Sequence, residues 1–126
     1  MSFILPATLL FLLVAAYLYL WRSSRAAAKF AREYQDRGGL LIDVRPAAEF
    51  KSGHLPNAIN LQLNELDSTV PQLAQRKDQI LLLHCKSGLR SELAAQRLKR
   101  QGYANAFNLG SYGRAARLLL RRQVQA

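Results

Sequence analysis

The stretch Ile80 to Arg90, I-L-L-L-H-C-K-S-G-L-R, restricts the fold more than any other part of the chain. An apolar run of this length that meets a glycine loop and then the helical pattern Ser91 to Arg100 reads as a buried strand of a parallel sheet. Cys85, the only cysteine, then stands at the carboxyl end of that strand, where open α/β sheets place their ligands. The loop suits an anionic sulfur. Backbone N–H groups of Lys86 to Leu89 curled around it would form a nest, and the following helix adds the positive end of its dipole. Gly88 permits a conformation other residues resist, while Lys86 and Arg90 bring fixed positive charge. These features predict a Cys85 pKa below the free-thiol value of ~8.5, within the ~3.5–7.5 range of activated cysteines.

The remaining pattern alternates strands with helices. Leu40 to Val44 is a short apolar strand carrying Asp43 near its end, with Arg45 just beyond. Pro46 opens a short helix over Ala47 to Lys51. A turn-rich segment, Ser52 to Asn57, precedes a second strand over Ala58 to Leu61. Asn64 to Arg76 holds one or two short helices, with Ser68 as candidate cap. After the Cys85 strand and its helix, which ends at Gly102, come a final strand over Ala104 to Leu109 and a basic helix over Tyr112 to Arg122. Such alternation implies an α/β fold with a central, mainly parallel sheet flanked by helices.

The first segment stands apart from that domain. From Phe3 to Leu20 no residue is charged, and a span of ~18–19 residues closed by Trp21 matches the thickness of a bilayer's hydrocarbon. Arg22, Arg25, Lys29 and Arg32 follow. By the positive-inside rule the amino terminus lies outside and the domain is cytoplasmic, making a single-pass membrane protein held through residues 3–21. A cleaved signal peptide is disfavoured by the missing basic n-region and by the two arginines ahead of any small-residue cleavage site. The polar, alanine-rich stretch Ser23 to Arg37 is expected as a juxtamembrane helix stopped by Gly38-Gly39. The expected division is therefore an anchor over 1–22, a juxtamembrane helix over 23–37 and a domain over 38–126. No small-xxx-small glycine pattern marks a helix interface in the span.

One cysteine excludes an internal disulfide framework and agrees with a reducing compartment. His54 and His84 stand alone, without zinc-ligand spacing, so no metal is expected. The net charge of +10 is unevenly placed. Beyond Cys85, nine basic residues (Lys86, Arg90, Arg97, Lys99, Arg100, Arg114, Arg117, Arg121, Arg122) face one acid, Glu92. Anionic headgroups explain that bias more simply than nucleic acid, each nearby Lys or Arg being worth ~1 kcal/mol at a membrane. No nucleic-acid motif is present.

Two motifs, I-D-V-R-P-A-A-E-F-K-S-G-H-L-P-N-A-I-N-L (Ile42 to Leu61) and H-C-K-S-G-L-R-S (His84 to Ser91), resemble a single-domain rhodanese over roughly Tyr34 to Leu109. The resemblance implies a sulfurtransferase. Cys85 would take sulfane sulfur from thiosulfate or another sulfane-sulfur donor, become a persulfide, and pass the sulfur to cyanide, a thiol or a protein thiol, with no organic cofactor. Related phosphatases and arsenate reductases carry one more residue between cysteine and arginine. Here four residues separate Cys85 from Arg90, which leaves a pocket too tight for phosphoryl transfer. Where family members commonly continue with a Gly-Gly pair and a tryptophan, this chain has Leu109-Gly110-Ser111-Tyr112, so its site rim and last helix depart from the pattern.

The expected site therefore has Cys85 as nucleophile and Lys86, Ser87, Gly88, Leu89 and Arg90 as the donor-binding loop. Arg90 either ties the loop to carbonyls or touches substrate. Asp43, Arg45 and Glu49 are expected as a supporting charge network, and His84 as a buried hydrogen-bonding residue that shapes the loop without acting as a base. His54 is expected to bond backbone in its turn. A second reading is a binding module at the membrane, or a carrier of persulfide sulfur without turnover.

Overall fold

The computed structural model describes the backbone of residues 4–125 and the side chains of residues 6–120. In chain order the elements are α1 (Ile4–Glu33), β1 (Leu40–Asp43), α2 (Ala47–Ser52), β2 (Ala58–Asn60), α3 (Leu66–Leu73), β3 (Leu81–Cys85), α4 (Leu89–Arg100), β4 (Ala106–Ser111) and α5 (Tyr112–Gln125), with a 3₁₀ turn over Leu63–Glu65. The four strands form one parallel sheet in the order β2-β1-β3-β4. β3 is buried along its whole length, which is why its residues read as an unbroken apolar run and not as an alternation.

Strand pleating sends successive side chains to opposite faces, and each face has its own core. Ile42, Val44, Leu81, Leu83 and Cys85 meet Leu66, Val70, Ala94, Ala95 and Leu98 from α3 and α4. Leu41, Leu82 and Leu109 meet Ala27 and Ala31 from α1, Tyr34 just beyond it and Ala115 from α5. Leu81, Leu82 and Leu83 are each fully buried, worth ~1.5–3 kcal/mol apiece.

α1 is a single unbroken helix. It is long and apolar enough to cross a membrane, and none of its most apolar 18-residue window is buried in the domain. Its second half is not a spacer: the stretch expected as a juxtamembrane helix contributes Ala27, Ala31 and Tyr34 to the core, and Phe30 stacks on Phe107 with ring centroids 4.6 Å apart. Small side chains let the helix lie close to the sheet. α1 runs against the strand direction. Tyr34 lies below the sheet, where its carbonyl accepts from Gly39 ahead of β1, while Ser24 meets Arg114 just past the carboxyl end of β4.

Local signals behaved unevenly. Ser68 does not cap the third helix; it lies inside α3, its hydroxyl donating to the Glu65 carbonyl. The capping pair is Gln62 with Glu65, a reciprocal box one turn earlier. Pro46 sits at the N-cap of α2 instead of its first helical position.

Candidate active site

Cys85 ends β3, and α4 begins four residues later, so the connecting loop must turn sharply over the sulfur. Gly88 makes that turn possible. Its φ is +94°, and a Cβ there would lie 3.1 Å from the Gly110 Cα, so both backbone conformation and space demand glycine. The turn aims the Gly88 N–H at Cys85 Sγ, 3.0 Å away. Ser91, in the first turn of α4, sets its Oγ 3.4 Å from the same sulfur.

Ser91 belongs to a wider network. Its Oγ also lies 2.7 Å from Asn108 Oδ1 and 3.2 Å from the Gly88 carbonyl. Asn108 donates through Nδ2 to the Gly88 carbonyl and to Glu92 Oε2, and its Oδ1 accepts from the Gly110 N–H. One carboxamide from β4 thus ties the loop, the helix start and the strand end together. Between the pairs Leu83–Asn108 and His84–Gly110 the register slips by one residue, a bulge beside the site.

Burial of Cys85 pushes its thiol pKa up, but the Ser91 hydroxyl and the backbone N–H groups of Ser91, Gly88 and Ser87 more than offset this and hold it below the ordinary thiol value. The shift runs in the expected direction. Its cause is hydrogen bonding to the thiolate, not the Lys86 and Arg90 charges, which are exposed to solvent.

Over the sulfur lies a cavity of about 330 Å³ lined by Arg45, Pro46, Glu49, Cys85, Lys86, Ser87 and Arg90. Lys86 and Arg90 supply its positive rim. The Arg90 guanidinium bonds no carbonyl among the described residues and stands exposed at the rim. Gly88 contributes its N–H beneath the sulfur, while Leu89 projects outward at 75% exposure.

Asp43 and Arg45 form the hydrogen-bonded part of the expected charge network, and Glu49 acts on Arg45 through space. Arg45 forks onto Asp43, Nε to both carboxylate oxygens at 3.1 and 3.0 Å and Nη2 to Oδ2 at 2.8 Å. Nη2 also reaches the Gly53 carbonyl at 2.6 Å, and the guanidinium lies 4.4 Å from the Tyr112 ring centroid. The Asp43 hydrogen bond holds the Arg45 pKa above its ordinary value. Glu49 joins no ion pair among the described residues; it sits half-buried at the cavity wall.

His84 is a correction. It is fully buried, as expected, but neither ring nitrogen has a hydrogen-bond partner. It points to the α1 and α5 face, away from the sulfur. Nε2 lies 3.8 Å from Asp43 Oδ2, whose lone pairs already serve Arg45, and the ring meets Tyr112 edge-on. Burial pushes its pKa down. His54, as expected, bonds backbone through Nδ1 and the Phe50 carbonyl at 2.9 Å.

The sequence reading missed Ser91 and Asn108 as site residues. A serine on the first helical turn after a cysteine loop was a usable signal, and so was an asparagine inside the short apolar strand A-F-N-L.

Comparison with known proteins identifies the fold. The model of the rhodanese-like domain matches residues 26–113. An uncharacterized Bacillus subtilis protein, YqhL, is 31% identical over 106 residues, covering 84% of this chain and 82% of that one. A sulfurtransferase of Allochromatium vinosum is 34% identical over 70 residues, 56% of this chain and 64% of the relative, so just under two thirds of its length is spanned. Among solved structures, an E. coli rhodanese with anions superimposes with a TM-score of 0.58 at 26% identity, over 60% of this chain and 89% of that one.

Proposed function

Since the chain belongs to the rhodanese-like family, whose members here include sulfurtransferases, we propose that it is a membrane-anchored sulfurtransferase working through a persulfide on Cys85. The observation that carries this reading is the sulfur itself, held 3.0 Å from the Gly88 N–H and 3.4 Å from Ser91 Oγ at the base of a cavity with a cationic rim.

The chemistry follows from that placement. The Cys85 thiolate attacks the outer sulfur of thiosulfate, the S–S bond of the donor breaks, and sulfite leaves with the electron pair. Lys86 and Arg90 draw the dianion in, and the N–H nest stabilises the persulfide anion as it stabilised the thiolate. An acceptor thiolate or cyanide then attacks the outer sulfur of the persulfide, and Cys85 departs as thiolate. Once the thiolate has formed, neither displacement needs a proton transfer at the sulfur. Asp43 and Arg45 act as positioning residues that fix the β1 end of the cavity.

The first half of α1 is read as the anchor, residues 1–22, with 23–37 continuing it onto the sheet and the domain proper over 38–126. The basic cluster that follows the apolar span supports a cytoplasmic domain.

The test uses the full chain in mild detergent, reduced and then exposed to thiosulfate, beside Cys85→Ser. The expected result is one added sulfur by intact mass on the native chain alone, removed by cyanide. A folded native chain that gains no sulfur from thiosulfate or from a small persulfide would overturn the assignment.

A further inference from the structure

A second groove, of about 490 Å³, shares no lining residue with the Cys85 cavity. Ala15, Leu18, Tyr19, Arg22, Ser23 and Ala26 form its α1 wall, and Lys99 from α4 and Phe107 from β4 form the wall opposite. The α1 residues recur three and four apart, which is one face of a helix. Further along α1 the helix already belongs to the domain: Ala27 is buried, and Phe30 stacks on Phe107. β4 is an edge strand of the described sheet, and the groove is the corner left open where the helix runs on past it.

The walls of this corner divide by chemistry. Ala15 and Leu18 belong to the uncharged span, and Tyr19 adds a ring. Arg22 is the first charged side chain in the sequence, and it is exposed, as is Lys99. Neither Arg22 nor Lys99 joins an ion pair among the described residues, and no acid lines the groove. Neighbouring cations are engaged elsewhere. The Arg25 guanidinium lies 4.2 Å over the Trp21 ring, and Arg97 donates to the Leu63 carbonyl at 3.0 Å and lies 3.9 Å from Asp67 Oδ1. The Lys99 ammonium lies 5.4 Å from the Phe107 ring centroid, at the groove's own wall. With α1 as the anchor, Arg22 stands where hydrocarbon gives way to headgroups. Lys99 stands near the same boundary because it shares the groove with Arg22, whatever the tilt of the helix.

We propose that this groove binds one phospholipid with an anionic headgroup, its phosphate between Arg22 and Lys99 and an acyl chain along Ala15 and Leu18. The site rests on the membrane-anchored reading of α1 and is independent of the chemistry at Cys85. Its volume falls within the ~300–1,000 Å³ of small-molecule sites. Basic pockets beside membrane helices favour anionic headgroups, and here two cations from different elements line one groove. A zwitterionic headgroup would bring a quaternary or primary ammonium to a groove with no acid to receive it. The apolar wall from the span separates a lipid from a soluble phosphate ester. A lipid seated there joins α1 to the end of α4 and closes the corner between them.

The test keeps the full chain in mild detergent and titrates it with phosphatidylglycerol or with phosphatidylcholine of the same acyl chains, counting lipids retained per chain by native mass spectrometry. The native chain is expected to retain one phosphatidylglycerol at a concentration about tenfold or more below that needed for phosphatidylcholine. Lys99→Glu is expected to abolish the preference. Arg100→Glu makes the same change of charge one residue on, outside the groove, and is expected to keep it. Lys99→Gln avoids a new acid at the helix end and is expected to weaken phosphatidylglycerol retention about fivefold, the ~1 kcal/mol of one basic group at a membrane. Equal retention of the two lipids by the native chain overturns the proposal. So does an equal loss in Lys99→Glu and Arg100→Glu, which would reduce the effect to net charge. Glycerol 3-phosphate carries the phosphate without the chains and is not expected to displace the lipid; displacement would leave a phosphate site and overturn the lipid one. Flotation with phosphatidylglycerol vesicles separates this site from the anchor. A chain that stays below the vesicles defeats both, whereas a chain that floats but shows no lipid preference defeats the site alone.

Discussion

Replacing Arg45 with methionine removes a guanidinium that is 10% exposed from a carboxylate, Asp43, that is fully buried. Met keeps most of the apolar stem, so the change isolates the charge. Asp43 would lose three side-chain hydrogen bonds from Arg45 and retain only the Arg45 backbone N–H at 2.9 Å. Breaking one partner of a buried pair leaves an uncompensated charge, at a cost of about 3–5 kcal/mol. Loss of the contact over Tyr112, 4.4 Å from the ring centroid, adds about 0.5–2 kcal/mol. For a domain near 100 residues each kcal/mol is worth roughly 4 °C or more, so thermal unfolding should fall by at least about 10 °C. The double variant Asp43→Leu/Arg45→Met replaces both charges with apolar groups and should recover much of that loss, since the pair itself is nearly balanced against its desolvation. Thermal scans of the three chains in the same detergent, followed by tyrosine near-ultraviolet signal, give the comparison. A double variant as unstable as the single one would refute the reasoning, because the cost would then lie in lost shape and not in an orphaned carboxylate.

Ser91→Ala should move the pH profile of Cys85 alkylation by iodoacetamide upward toward the ordinary thiol range, because a principal donor to the thiolate is gone; an unmoved profile would assign the depression to the backbone alone. Gly88→Ala forces a side chain into φ +94° against the Gly110 backbone, a strain of about 1–3 kcal/mol, and should slow persulfide loading at least tenfold in a chain that still folds. His84 has a depressed pKa in the folded chain, so below pH ~6.5 the unfolded chain binds the proton first and stability falls with pH down to the folded value. His84→Leu should flatten the stability profile below pH ~6.5; an unchanged slope would place the acid sensitivity elsewhere.

The sequence made β3 and its loop legible because burial on both faces leaves an unbroken apolar run, and because only glycine satisfies the turn at position 88. The dual nature of α1 was less visible. A composition change at Arg22 suggests a boundary, yet helix geometry ignores composition, and Ala27 and Ala31 look like spacer residues until the sheet is placed against them. Polar partnerships were the least legible. Periodicity buries Asp43, Arg45 and His84 without saying that the Arg45 fork takes both Asp43 oxygens and leaves the imidazole without a hydrogen bond among the described residues. Asn108 acts across β3 and α4 from 20 positions beyond Gly88, a distance that no local pattern reports.

Because α1 passes without a break from the apolar span into the core, the azimuth of the span is locked to that of the active site. Each residue of an α-helix turns by about 100°. A single residue gained or lost between Trp21 and Ser24 would therefore leave composition, span length and domain nearly untouched, yet swing the lipid-facing side of the helix by more than a quarter turn around Cys85. On the membrane-anchored reading, that phase decides which neighbours can reach the sulfur.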